Sequence, residues 1–141
     1  MVREALKLGI EPEVIPGVSS LTFAMAASGL PSDHFAFYGF LPVKSGRRQK
    51  VLEEIRDWGR SAVIFESPYR VEKTLRAISE VIGPDTAVAL VREATKLHEE
   101  ILRGTAAELL GLGRSSWKGE FVIVVNPGNE GNYPNNEEEN L

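Results

Sequence analysis

The chain contains no cysteine and only two histidines, His34 and His98. Disulfide bonds and thiolate metal sites are therefore excluded, a site built from several histidines is impossible, and we expect no metal centre. No apolar run approaches the roughly 18 residues that a membrane-spanning helix needs. The first ten residues have an amphipathic helical pattern rather than that of a signal peptide, so we expect a cytoplasmic protein with no membrane partner.

The chain also has no excess of one charge sign outside its C-terminal end. The net charge is −4, but residues 128–141 hold four of the 20 acidic residues and no Lys or Arg. The remaining body is neutral, which permits a local basic patch but gives no general attraction to nucleic acid. We expect residues 1–127 to form one α/β domain and residues 128–141, rich in Asn, Gly and Glu, to form a disordered acidic tail.

Helical and strand patterns alternate along the body of the chain. Helices are expected near residues 2–8, 20–28, 47–58, 68–82 and 106–112, and strands near 34–40, 61–65, 87–91, 101–102 and 121–125. A further short strand is expected at Val14–Ile15, and Ser67 followed by Pro68 predicts a helix start. The alternation predicts an α/β fold with a mixed sheet of about five strands flanked by helices, in which residues 92–99 form a hairpin.

The turn at residues 16–20, Pro-Gly-Val-Ser-Ser, is the first of four segments that could carry chemistry. A glycine turn that leads into a helix offers free N–H groups and hydroxyls to a polar ligand. Ordinary N-capping explains the same pattern. The turn is neither a P-loop nor a GxGxxG motif, so nucleotide phosphate binding is not predicted.

The second segment is the basic run at residues 44–50, which has four positive charges and no acidic residue. Aromatic residues lie just upstream, and arginine forks match phosphate oxygens, so the run could grip a nucleic-acid backbone. A solvated helix start is the alternative. Cations at a helix N-terminus oppose the helix dipole, however. Because basic residues are unfavourable at this position, their presence there indicates a functional role.

The third and fourth segments follow buried strands. Glu66 ends one strand and Arg70 follows it by four residues, so the two could hold a polar substrate or simply form an internal ion pair. Glu93, Lys96 and His98 follow the next strand, at the sheet edge where α/β folds bind ligands. They could orient a substrate or move a proton, or lie in a solvated loop.

Together these segments resemble the tetrapyrrole (corrin/porphyrin) methylase superfamily, and within it the bacterial branch that methylates a cytidine ribose 2′-OH in 16S rRNA. The resemblance covers roughly residues 2–125. It rests on residues 16–20, 39–48, 65–70, 92–105 and 118–122, which occur in that order. The first motif is common to the superfamily, whereas the Gly-Arg-Arg, Glu-Ser-Pro-Tyr-Arg and Thr-Lys-Leu-His-Glu-Glu segments indicate the rRNA branch.

The resemblance implies a methyltransferase that uses S-adenosylmethionine and acts on 16S rRNA in the small ribosomal subunit. Residues near the cofactor would be Ser19, Ser20, Glu66, Ala94 and Thr95. Candidates for rRNA phosphate contacts are Lys44, Arg47, Arg48 and Arg70. Candidates for orienting the ribose hydroxyl are Glu93, Lys96 and His98, and no catalytic base is assigned.

Members of the superfamily have two α/β domains, and the first carries a Gly-rich methionine-binding loop that this sequence lacks. We therefore expect a C-terminal domain that forms one wall of the cofactor cleft, binds cofactor weakly by itself and is inactive alone. The small-residue helix at residues 21–28 makes a homodimer plausible. Two alternatives stay open: a precorrin, porphyrin or other small-molecule methylase domain, and a non-catalytic dimerisation module.

Overall fold

The computed structural model describes residues 1–114 and 116–128. Apart from Gly128, the predicted acidic tail lies outside the described residues. The helices are α1 (Val2–Lys7), α2 (Ser20–Ser28), α3 (Ser45–Trp58), α4 (Val71–Val81) and α5 (Ala106–Gly111). The strands are β1 (Phe35–Phe40), β2 (Ser61–Glu66), β3 (Ala87–Arg92), β4 (Glu100–Thr105) and β5 (Phe121–Asn126). The predicted order of elements is confirmed.

The five strands form one mixed sheet in the order β1-β2-β5-β3-β4. β1 pairs with β2 in parallel, while β5 runs antiparallel to both β2 and β3, and β3 and β4 form the predicted antiparallel hairpin. All six residues of β5 are buried, which explains its unbroken apolar pattern in the sequence. The α/β class and the mixed sheet are therefore confirmed.

Helices cover the two faces of the sheet unequally. On one face, α3, α4 and α5 bury their apolar stripes, including Leu52, Leu75 and Leu109, against the strands. On the other face α2 packs against the strands through Ala24 and Met25. No helix in the described part of the chain is long and apolar enough to cross a membrane.

Two local predictions are wrong. Val14 and Ile15 form no strand, because they are 72% and 83% exposed and no neighbouring strand pairs with them. Helix α4 begins at Val71 rather than at Ser67. Residues 67–70 form a turn instead, closed by a 2.9 Å hydrogen bond from the Arg70 N–H to the Ser67 carbonyl. The Ser67 hydroxyl also accepts from the Tyr69 N–H at 3.4 Å, and local side-chain hydrogen bonds of this kind compete with helix formation.

Candidate functional site

A cleft lies at one edge of the sheet, where the central strand meets its two neighbours. In the strand register Phe121, the first residue of β5, pairs with Glu66 on one side and with Arg92 on the other. Because β5 is antiparallel to β2 and β3, its start lies beside their carboxyl ends. The third segment, which begins at Glu66, and the fourth, which follows Arg92, are thereby brought to the same edge of the sheet.

The cleft has a volume of about 470 Å³, within the range of small-molecule sites. Its walls are mostly apolar and a few polar groups converge on them. The lining residues are Ser20, Phe40, Phe65, Glu66, Ser67, Pro68, Val91, Ala94, Gly119, Glu120, Phe121 and Val122. Of the residues predicted to lie near a cofactor, Ser20, Glu66 and Ala94 line the cleft, and Ser19 and Thr95 adjoin lining residues.

The turn at residues 16–20 delivers the start of α2 to this cleft. Ser19 occupies the N-cap position with extended backbone angles (φ −131°, ψ 123°), but its side chain accepts no hydrogen bond from the first turn of the helix. Ordinary N-capping by Ser19 is therefore not what the structure shows. Ser19 and Ser20 are both exposed, and Ser20 lines the cleft.

The Glu66 side chain is buried, and both of its carboxylate oxygens accept hydrogen bonds. It is 1% exposed, and its carboxylate accepts from the Ser67 N–H at 2.7 Å and from the Thr74 hydroxyl at 2.6 Å. The Arg70 Nε lies 3.0 Å from the same carboxylate. The internal ion pair expected as the alternative is what the geometry shows, so Glu66 fixes the turn that carries Ser67 and Pro68 into the cleft.

The hairpin turn after β3 is joined to the loop before β5. The Glu120 N–H donates to the Glu93 carboxylate at 2.7 Å, and this bond holds the pKa of Glu93 below its ordinary value. The Lys96 ammonium lies 2.8 Å from the Glu120 carboxylate, a contact that raises the pKa of Lys96. Near neutral pH both side chains therefore stay charged, and each is bonded to another group of the protein.

The remaining candidate of this segment, His98, lies farther along the same turn. It is exposed and does not line the cleft. Glu93 and Lys96 do not line the cleft either, but both contact Glu120, which does. The suggested role of His98 in orienting a ribose stays a prediction.

The basic run divides into exposed and buried cations. Lys44 and Arg47 are exposed, and no described residue forms an ion pair with either. Arg48 is only 7% exposed, and its guanidinium donates to the Val43 carbonyl at 3.3 Å. Arg48 thus holds the loop that precedes α3, whereas Lys44 and Arg47 are presented to solvent.

Comparison with known proteins decides the family. The model of the tetrapyrrole (corrin/porphyrin) methylases matches residues 1–110. The chain belongs to this family. Solved methylases share the fold of the chain: a cobalt precorrin-4 methyltransferase superposes with a TM-score of 0.61 at 22% identity over 89% of this chain and 57% of the other. A uroporphyrin-III C-methyltransferase from Thermus thermophilus, solved with S-adenosyl homocysteine, superposes with a TM-score of 0.52 at 20% identity over 87% of this chain and 56% of the other.

Curated relatives in the methylase family are more similar in sequence. A protein named ribosomal RNA small subunit methyltransferase I from Coprothermobacter proteolyticus is 45% identical over 93% of this chain and 58% of its own length. The protein of the same name from Thermotoga maritima is 41% identical over 89% of this chain and 56% of its own length. The chain spans just over half the length of these relatives.

Most residues that line the cleft have no predicted site role, and Gly119 and Glu120 are two of them. Gly119 has a φ of +99°, and a Cβ placed there would lie 2.5 Å from the Glu93 Oε1. The segment 118–122 contributed to the resemblance, and a glycine just before a buried strand was the available signal. Its contact with Glu93 spans 26 residues of sequence, and local patterns do not show such contacts.

Proposed function

We propose that the chain is the C-terminal domain of an S-adenosylmethionine-dependent methyltransferase that methylates the ribose 2′-OH of a cytidine in 16S rRNA of the small ribosomal subunit. One observation carries the proposal: each of the five segments that carry the resemblance, although distant in sequence, contributes at least one residue to a single cleft. The names of the relatives at 45% and 41% identity support the same substrate class. Their extra length supports a second domain that completes the cleft.

The cleft suits the proposed cofactor. Phe40, Phe65 and Val91 provide apolar walls for an adenine ring, while Ser20 and the main chain of Ala94 provide polar partners. Ser19 and Thr95, beside these residues, would complete the contacts. When bound, S-adenosylmethionine supplies an electrophilic methyl group on a sulfonium centre, so the protein must mainly orient the ribose oxygen toward it.

The carboxylates of the cleft favour positioning over strong general-base catalysis. Both Glu66 oxygens accept hydrogen bonds, and the Glu120 carboxylate is paired with Lys96. Among the described lining residues these are the two acidic side chains, and each is already engaged. We therefore assign neither as a base for the 2′-OH, and we propose Lys96 and His98 only as candidates for orienting the ribose.

An RNA substrate is supported by the unpaired cations at the start of α3. Lys44 and Arg47 are exposed at a helix N-terminus, where positive charge opposes the helix dipole. A phosphate backbone would neutralise both. Two exposed cations close together are suited to the phosphates of an RNA chain, so these two residues support the rRNA substrate. Arg70, 26% exposed beside Glu66, is a further candidate contact.

The test uses the full-length protein that contains this chain. Replacing Lys44 and Arg47 together by Gln should weaken binding to 30S subunits and reduce the slope of log K against log salt by up to about 2. The matched control replaces Arg60 and Lys73, which are also exposed and form no ion pair with a described residue. Equal effects of the two double variants would contradict the RNA surface. Tritium transfer from labelled S-adenosylmethionine to a tetrapyrrole but not to 30S subunits would favour the small-molecule alternative.

For the isolated 141-residue chain we propose weak cofactor binding, no activity and a homodimeric state. Titration calorimetry with S-adenosylmethionine and sedimentation equilibrium test these points. Micromolar affinity of the isolated chain would contradict the proposal that a second domain is needed to position the cofactor.

A further inference from the structure

Two loops at the cleft edge are held together by Glu93. Its main-chain N–H donates to the Glu120 carbonyl at 2.9 Å, and its carboxylate accepts from the Glu120 N–H at 2.7 Å. The Lys96 ammonium lies 3.5 Å from the Glu93 carboxylate and 2.8 Å from that of Glu120. The turn after β3 and the loop before β5 therefore behave as one unit, which we name the Glu93 clamp.

The turn held by the clamp is strained. Glu93 has a φ of +50° and Thr95 a φ of +66°, both in the left-handed region that non-glycine residues rarely occupy. For the β-branched Thr95 this conformation is a genuine outlier. Such residues persist where the surroundings over-determine them, and they concentrate at ligand sites. Here the Thr95 N–H is fixed by the Glu99 carboxylate at 2.6 Å, and the Lys96 N–H by the Glu93 carbonyl at 2.9 Å.

The strained turn presents Ala94 to the cleft. Ala94 lies between the two left-handed residues and lines the cavity. No described residue donates to or accepts from the main chain of Ala94, although its neighbours on both sides are bonded. An N–H and a carbonyl left without protein partners beside a cavity are suited to a ligand.

Gly119 makes the clamp possible. With φ at +99° it occupies a conformation that side chains disfavour, and any Cβ would lie 2.5 Å from the Glu93 Oε1 and 2.8 Å from its Cδ. Only glycine lets the carboxylate approach the main chain of this loop closely enough to reach the Glu120 N–H. The sequence requirement at Gly119 therefore follows from the position of Glu93.

We infer that Glu93 is a positioning residue, which acts through the main chain of Ala94 to set the affinity of the cleft for the methyl donor. This inference rests on the proposed function. Glu93 would not contact the ribose itself, because its carboxylate already binds Glu120. The role differs from that suggested by the sequence, where Glu93 was a candidate for orienting the substrate hydroxyl.

The experiment compares Glu93→Ala, Glu93→Gln and Gly119→Ala in the full-length protein, with Glu80→Ala as control because Glu80 is exposed and remote from the clamp. Methyl transfer to 30S subunits is measured as a function of S-adenosylmethionine concentration. We expect Glu93→Ala and Gly119→Ala to raise KM for S-adenosylmethionine about tenfold to a hundredfold with kcat changed less than about threefold. Glu93→Gln should restore most of the affinity, since its amide oxygen still accepts from the Glu120 N–H.

The outcomes separate failure of the clamp from failure of the proposed function. A wild-type protein that transfers no methyl group to 30S subunits overturns the function. An active wild type with unchanged KM in Glu93→Ala, or with Glu93→Gln as impaired as Glu93→Ala, overturns the clamp. Urea denaturation identifies any variant that fails to fold. The combined Glu93→Ala/Gly119→Ala variant should be no worse than either single variant, and additive losses would also contradict the clamp.

Discussion

Two glutamate–arginine pairs in this chain share their spacing but differ in burial and in the other contacts of the glutamate. Glu66–Arg70 and Glu72–Arg76 are both four residues apart, and both have a nitrogen–oxygen distance of 3.0 Å. The Glu66 side chain is 1% exposed, whereas that of Glu72 is 61% exposed. Glu→Gln replacements at the two positions therefore compare a buried carboxylate that has several hydrogen-bond partners with an exposed one.

The contacts of Glu66 set the expected magnitude. In Glu66→Gln the amide oxygen can still accept from the Ser67 N–H, and the amide NH₂ can donate to the Thr74 hydroxyl oxygen. What is lost is the charge that strengthens these bonds and holds Arg70. Hydrogen bonds to charged groups are worth about 1.5–3 kcal/mol, so we expect a loss of about 2 kcal/mol in unfolding free energy. For Glu72→Gln we expect at most about 0.5 kcal/mol.

Urea denaturation followed by far-ultraviolet circular dichroism at neutral pH gives both values. Thermal melts provide a second measure, because a chain of this size loses roughly 4 °C in Tm for each kcal/mol, or about 8 °C for Glu66→Gln. Equal effects of the two replacements would refute the reasoning. So would an unchanged midpoint in Glu66→Gln, because the charge of Glu66 would then add nothing to its contacts with Ser67, Thr74 and Arg70.

Three further predictions concern stability. Leu75→Ala removes a fully buried side chain and should cost about 2–5 kcal/mol in urea denaturation, which a loss below 1 kcal/mol would contradict. Thr105→Ala removes the capping box that Thr105 forms with Glu108, and should cost about 1 kcal/mol by the same method. Hydrogen bonds from Arg114 at 2.7 and 2.8 Å hold the pKa of Glu100 below its ordinary value. The folded state therefore gains stability from ionised Glu100 at neutral pH and loses it as pH falls through the ordinary glutamate range and below, so Glu100→Gln should lose less stability than wild type over that acid range.

The sequence predicted most of the fold because local patterns determine most of its elements. The apolar run at Phe121–Val125 indicated a strand buried on both faces, and β5 is the central strand. The Thr105–Glu108 pattern predicted the start of α5, and the capping box is present. Hydrophobic periodicity and capping act over a few residues, so a single sequence is enough to predict the helices and strands that they determine.

The parts that could not be predicted depend on tertiary contacts. The helix start expected at Ser67 is replaced by a turn, because the buried Glu66 carboxylate binds the Ser67 N–H. Arg48 resembles its exposed neighbour Arg47 in sequence, but the packing of α3 buries it against Val43. Burial of a single charged residue follows from helix rotation and from neighbouring segments, which a charge pattern does not specify.

We propose that this cleft belongs to an rRNA ribose methyltransferase, and the chemical identity of the methylated product shows whether it does. The full-length protein is incubated with 30S subunits and S-adenosylmethionine that carries a deuterated methyl group, and the 16S rRNA is digested to nucleosides for mass spectrometry. We predict that the label appears as deuterated 2′-O-methylcytidine. The amount of this nucleoside should fall when Lys44 and Arg47 are replaced by Gln. A labelled base instead of a labelled ribose, or no label in the rRNA, would contradict the proposal.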